Sequence, residues 1–263
     1  MDLLSMIVSL PISLGLIFWI IRLKKEEPFP KGTVIKSLLL GALSGIVSSV
    51  IYLTYALYRV IDTVGLDTIM QAVNDPENSG MSLAEKLQAA AAQAAPATFL
   101  SVFITTFLLV GIVEEIMKFL FAKGIMKKPG TADTWFDAVL LFSLVGLGFQ
   151  IWEDVGYAQS GGILTAITRA LTPFHFVFAV IMGYWYGKAK VSHNGFYTFL
   201  AILVPALLHT AFDASLRMMA REDIYIIPAL AVTAALFITF IAQIIKINKW
   251  HKMHKLSERI REA

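Results

Sequence analysis

Apolar runs near or above about 18 residues recur along this chain, and each is long enough to cross a bilayer. That recurrence constrains the fold more than any motif does. Composition agrees: of 263 residues, 57% are apolar and only 16% are charged, against about a quarter charged in an average soluble domain. The expected class is an all-α, polytopic membrane bundle, one transmembrane domain over 1–263. Seven spans are expected, at roughly 3–21, 34–58, 98–122, 135–153, 163–187, 196–216 and 225–247. The cysteine count is zero, which removes disulfides, Fe–S clusters, thiolate zinc sites and cysteine nucleophiles together.

Charge distribution orients the spans. Sixteen of the 22 basic residues fall on alternate loops, within 22–36, 123–134, 188–194 and the tail 246–263. The opposite side carries Arg59, Lys86, Arg169, Arg217 and Arg221, diluted by Asp62, Asp67, Asp75, Glu77 and Glu85. Seven crossings with the N-terminus outside and the C-terminus in the cytoplasm satisfy this pattern. The first span has no positive residues before it and no small-residue cleavage pattern after it, so it reads as a retained reverse anchor. The expected location is the cell membrane, with multiple crossings.

Between the spans, the loop 59–97 is the long extracytoplasmic segment. Its 74–80 stretch reads as a turn. The 81–95 stretch has high helix propensity and ends at Pro96; it reads as a surface helix over the outer mouth of the bundle. The tail 246–263 is basic and helix-prone, and is expected on the anionic inner leaflet. Gly41 and Gly45 form a small-xxx-small pair, a helix-packing signal.

The informative residues are charges inside the spans. Glu114, Glu115 and Lys118 lie in span three, Asp137 and Glu153 bound span four, His175 lies in span five, and His209 and Asp213 lie in span six. An ionised group at a helix centre costs about 2.5–3.5 kcal/mol on insertion scales, so three in span three cost on the order of 8 kcal/mol. These side chains are therefore expected inside the bundle or along a wet cavity. Asp137 reads as interfacial, and His193, His251 and His254 read as solvated.

Spacing sharpens the pattern. Glu114 and Lys118 are i,i+4 with the acid first, the favourable order for a helical ion pair. Glu115 projects about 100° away, since a helix turns through 3.6 residues. One carboxylate is then held by Lys118 while the other meets a like charge in low dielectric, and carboxyls pushed toward different protonation states suit acid–base work. His209 and Asp213 are also i,i+4, so the Asp is expected to hold one ring nitrogen and leave the other free. Pro173, two residues before His175, is expected to weaken the local backbone ladder and open room around the imidazole.

At these residues the chain resembles the PrsW family of intramembrane proteases, within the wider group of CAAX prenyl endopeptidases and bacteriocin-processing enzymes. The family pattern EExxK, FxxxE, HxxxD, one motif per span, is matched by Glu114-Glu115-Ile-Met-Lys118, Phe149-Gln-Ile-Trp-Glu153 and His209-Thr-Ala-Phe-Asp213. The resemblance covers about 98–216, the expected catalytic core helices. Asp154 departs from it, where an Asn is expected after the Glu. The resemblance implies hydrolysis of a peptide bond in a single-pass membrane substrate and, by analogy only, first-site cleavage of an anti-sigma factor. The expected partners are that substrate and the lipid bilayer, with no nucleic acid and no small-molecule cofactor.

The expected chemistry is attack by activated water. Glu114 or Glu115 takes the water's proton. His209, oriented by Asp213, positions the water or steadies the oxyanion, and His175 is a second oxyanion donor or a proton shuttle. Lys118 sets the charge state of the glutamate pair, with Glu153 and Phe149 in support. A zinc ion needs about three protein ligands and an open position; His175, His209 and Glu153 are the candidates. The chain has no HExxH, and the metal-free version is preferred over one with a single divalent metal.

At about 1.5 Å per residue, Glu114, His175 and His209 fall about 12, 18 and 20 Å from the inner edge. Glu153 falls near 27 Å, so it is expected either outside the immediate site or on a span that starts later or breaks at Gly146 and Gly148. The main rival is a proton-coupled transporter, which uses buried Glu, Lys and His equally well but calls for repeats or matching broken helices that are not seen by eye. A retinal-type photoreceptor needs a lysine deep in the last span, and 225–245 has none. A non-catalytic scaffold binding partners through 59–97 is the third.

Overall fold

The structure, a computed structural model, describes residues 3–65, 70 and 98–262. The helix expected over 81–95 lies outside the described residues. Those described are helical, with no strand among them. In chain order the helices are α1 (Leu3–Ser9), α2 (Pro11–Leu23), α3 (Thr33–Val64), α4 (Phe99–Thr106), α5 (Ile112–Ile125), α6 (Trp135–Leu171), α7 (Phe174–Ser192), α8 (Gly195–Met219) and α9 (Ile226–Glu262). A π-helical turn, Phe107–Gly111, joins α4 to α5 without a break.

Six stretches are long and apolar enough to cross a membrane: Leu3–Leu23, Thr33–Arg59, Phe99–Ile125, Trp135–Ser192, Gly195–Met219 and Asp223–Leu256. The protein is a multi-pass membrane protein. The fourth stretch runs for 58 residues, too long for one crossing at about 1.5 Å per residue. It doubles back. Gly162 has φ 69° and ψ −164°, a backbone state that a residue with a side chain rarely adopts. There α6 bends, and 163–171 forms a short fold-back helix. Thr172 and Pro173 then start α7, which runs antiparallel to the first leg of α6: Gly146 meets His175 and Ala179, Gly183 meets Val139, and Gly187 meets Trp135.

Span five therefore begins at 174 rather than 163. Pro173 stands at the N-cap of α7 and interrupts no helix. Proline suits a helix start, where its missing N–H has no partner to lose. Gly146 and Gly148 do not break α6 either.

The first leg of α6 is the hub. Residues 136–150 are buried without exception, as expected for a helix apolar on all sides. Leu16, Ile17 and Ile20 of α2, Phe176 and Val180 of α7, and Ile247 of α9 pack against its Phe136, Val139, Leu140, Leu144 and Leu147. On another side α3 approaches so closely that a Cβ at Gly41 would meet the backbone of Val145 and Gly148, one at Gly45 would strike Trp152, and one at Gly148 would strike the backbone of Leu38. Gly41 and Gly148 thus let two backbones touch, and Gly45 makes room for the Trp152 ring.

The cytoplasm-assigned segments differ from expectation. α9 continues as one helix through the basic tail. Lys255 Nζ reaches Glu26 Oε1 at 2.6 Å, and His251 and His254 lie against the Phe136 ring. These two histidines are packed, and the tail touches the chain itself at the 24–27 segment. Asp137 accepts from Thr134 in a capping box at the start of α6 and pairs with Lys24 at 2.9 Å.

Gly148→Ala is expected to destabilise, by about 1–3 kcal/mol for an overpacked core position, although alanine is the better helix former. Gly15→Ala, where no atom lies within 4 Å of the added methyl, is expected to raise stability slightly. Thermal midpoints in detergent check the opposite signs.

Candidate active site

Four helices bring the intramembrane charges together. Gly111, closing the π-helical turn, packs against Thr210 and the backbone of Ala206 on α8. A side chain there would hold α5 off α8. The contact sets Glu114 and Glu115, one helical turn on, beside His209. π-Helical turns often occur at functional sites.

Lys118 is the centre. Its side chain is 1% exposed and Glu115 is 0% exposed. Its Nζ donates to Glu115 Oε1 at 2.6 Å, lies 2.9 Å from His175 Nδ1, and stands 4.2 Å above the centre of the Phe149 ring. An ammonium has three donors and no acceptor, so His175 Nδ1 accepts. The proton of His175 is then on Nε2, which lies 2.7 Å from Glu153 Oε2. The ion pair is thus Glu115–Lys118, i,i+3, and not the expected Glu114–Lys118. The lysine is drawn to the Glu115 side because His175 and Phe149 complete its shell there.

His209 is also held by Glu115. Its Nδ1 lies 3.0 Å from Glu115 Oε1, and its ring stacks on Phe178 with centroids 5.1 Å apart. The other nitrogen, Nε2, faces Glu114 Oε2 at 3.7 Å and Asp213 Oδ2 at 3.5 Å. Asp213 faces one ring nitrogen as expected, but the other is not free: Glu115 holds it. The two imidazoles meet edge to face at 5.0 Å. The Oε2 atoms of both glutamates are buried without a hydrogen-bond partner, but Glu115 is tied through its Oε1 and Glu114 is not.

Glu153 is inside the site. Depth counted from 187 sets it apart from His175, because α7 runs on to Ser192. Counting about 1.5 Å per residue from Ser192, His175 lies about 26 Å along α7; Glu153 lies about 27 Å along α6 from Trp135. The two are level. Glu153 Oε2 also accepts from Arg169 at 2.7 Å, and Arg169 Nε donates to Asp154 Oδ1 at 2.8 Å. Gln150 donates to the same Asp154 oxygen at 2.6 Å, and its own oxygen accepts from the His175 backbone N–H at 3.0 Å.

Arg169 and Gln150 are absent from the sequence-derived set. Arg169 reads as an outer-loop cation, and only the adjacent Gly161 and Gly162 hint at a reversal. Gln150 and Asp154 are i,i+4 on the span-four helix, a pairing signal present in the sequence. A cavity of about 30 Å³, room for one or two waters, opens among Gln150, Glu153, Arg169, His175, His209 and Asp213. Its polar lining, shared with Phe174, Phe178 and Phe212, offers the hydrogen-bond partners that buried water requires.

Glu114, His175 and His209 each offer one ligand atom, all within 4.8 Å of one another. Glu114, with a bare oxygen, fits a divalent metal. So does His209, whose Nδ1 is backed by a carboxylate in the manner of zinc-bound histidines. His175 does not fit as bonded here, because the lysine at Nδ1 leaves its proton on the nitrogen that faces the other groups. Glu153, expected among the ligands, is taken by His175 and Arg169.

A family description, PrsW family intramembrane metalloprotease, matches residues 29–243. The chain is 34% identical over 111 residues to Protease PrsW of Geobacillus kaustophilus, covering 41% of this chain and 49% of that protein. It is 30% identical over 132 residues to that of Halalkalibacterium halodurans (49% and 61%) and 30% over 131 to that of Bacillus subtilis (48% and 60%). The chain thus matches about half to three-fifths of the length of these curated relatives. No solved structure matches. The family match takes in every helix that contributes to the charged cluster, and the chain belongs to the PrsW family of intramembrane proteases.

Proposed function

We propose that the chain is an intramembrane peptidase of the cell membrane that cleaves a single-pass membrane protein by direct attack of water, with Glu114 as the general base. The supporting observation is the division of labour between adjacent glutamates. Glu115 is bound through Oε1 to both Lys118 and His209, whereas Glu114 makes no hydrogen bond and turns its buried Oε2 toward His209 Nε2 at 3.7 Å. A base needs a free lone pair at hydrogen-bond reach of its water.

In this reading Glu114 takes a proton as the water oxygen bonds to the scissile carbonyl carbon. The carbonyl electrons move onto oxygen. The His175 Nε2–H, held as a donor by Lys118 and aimed by Glu153, shares its hydrogen bond with that oxyanion, where preorganised donors lower the barrier most. His209, kept by Glu115 with Nε2 toward the water, holds it in line. Collapse of the adduct breaks the C–N bond, and Glu114 returns its proton to the departing amine. Atoms and charge balance with water as the one added reactant. A divalent metal held by Glu114 and His209 would supply Lewis-acid polarisation, but His175 as bonded here argues against a three-ligand site and no step above needs it. The family analogy extends the proposal to an anti-sigma factor as the substrate.

Co-expression with candidate single-span proteins tests the activity. Glu114→Gln is expected to lower kcat by about 10²–10⁴, the usual worth of a general base, with the thermal midpoint unchanged. Glu115→Gln is expected to lose cleavage and also stability, by about 3–5 kcal/mol, because it strands a buried ammonium. Equal behaviour of the two variants in the thermal assay counts against the assignment. In the purified enzyme, cleavage is expected to survive 1,10-phenanthroline. Loss that added zinc restores would replace this mechanism with a metal-assisted one.

A further inference from the structure

Among the described residues, the fold-back helix 163–171 is the one element that reaches the site from outside the membrane-crossing legs of the four core helices. Its Ala166 is fully buried, while Ile163, Leu164, Ile167 and Leu171 are exposed. It thus presents an apolar outer face and turns Arg169 inward. The guanidinium spans two carboxylates fifteen and sixteen residues earlier, Asp154 through Nε and Glu153 through a terminal nitrogen, and lies 4.8 Å from the Tyr157 ring. The bonds close a ring. Arg169 joins Asp154, Asp154 joins Gln150, Gln150 joins the His175 backbone, and the His175 side chain joins Glu153, which returns to Arg169.

We propose that Arg169 is a positioning residue of the hydrolytic site: its guanidinium fixes Glu153 against the His175 imidazole and, through Asp154 and Gln150, anchors the start of α7, so that the fold-back helix is a working part of the catalytic apparatus. The reading rests on the hydrolase assignment above. Arg169 touches no reacting atom. It acts by fixing where His175 aims its N–H. A guanidinium is suited to this because its planar fork can bind two carboxylates at once, which a lysine cannot. Asp154, where the family pattern leads one to expect Asn, gives the clamp its second negative arm.

The test uses the full-length protein in nanodiscs. Arg169→Met is expected to lower kcat about 100-fold, the scale of a displacement of about 1 Å, with KM changed little, because Arg169 acts through His175 and not on the bound substrate. Arg169→Lys keeps the charge but only one arm, and is expected to recover roughly tenfold of that loss. Asp154→Asn, which keeps the acceptor oxygen, is expected to fall between wild type and Arg169→Lys. Because the chain has no cysteine, spin labels at Leu164→Cys and Leu53→Cys read the fold-back helix independently of cleavage. One narrow distance distribution is expected with Arg or Lys at position 169, and a broadened one with Met.

Unchanged kcat and distances in Arg169→Met overturn the proposal. So does a Lys variant no better than Met, or a loss carried by KM alone. Should the wild type cleave nothing while the label distances still follow residue 169, the hydrolase assignment fails and the clamp stands. Should all variants cleave alike with the same distances, the clamp fails and the hydrolase assignment stands.

Discussion

A lysine ammonium sealed from water among helices is the constraint to which the site answers. Removing such an ion from water costs several kcal/mol even after relaxation, so Lys118 must be met on every side. Glu115 supplies the opposite charge, His175 a lone pair, and Phe149 the face of its ring. These partners come from α5, α7 and α6. The shell can be completed only when the three helices converge. Glu115 then extends the order to α8 through His209. The tautomers of both imidazoles follow from this one ion pair, and so does the separation of the two glutamates into one occupied carboxylate and one available carboxylate.

Close backbone approach makes that convergence possible. Gly41, Gly45 and Gly148 bring α3 against α6, and Gly111 brings α5 against α8. In lipid the gain from such contacts is packing rather than release of water, so small residues at the right turns do what large apolar ones do in a soluble core. The α6 leg, buried over 136–150, is the post around which the site helices are arranged.

Much of this was legible in the sequence because the cost of burying charge leaves a strong mark. Helical character and inward-facing Glu114, Glu115, Lys118, His175 and His209 follow from insertion energetics alone. Pairing was less legible. Lys118 has two carboxylates in reach, at i+3 and i+4 spacing, and the choice depends on a histidine 57 residues away. His209 likewise takes a partner, Glu115, from another helix besides Asp213 on its own. The boundary of span five was misplaced because 163–171 is apolar enough to pass as membrane-spanning. The depth of His175 depends on the other end of the span, Ser192 rather than 187, and the reversal itself lies in the backbone state of Gly162. Arg169 was hidden for the same reason: a cation counted as a loop charge folds back onto the helix before it.

The doubling back of the fourth apolar stretch bears on how water arrives. Glu153 and His175 lie some 26–27 Å from the Trp135 and Ser192 ends of their helices, so a hydrocarbon layer of about 30 Å that began at those ends would have its other face within a few ångströms of these groups. Hydration would then need no long aqueous pore, since bulk solvent and the polar headgroup zone would be close. A bond presented to this centre would then be met just beneath one membrane surface, where a short unwinding at the end of a substrate helix is enough to expose it.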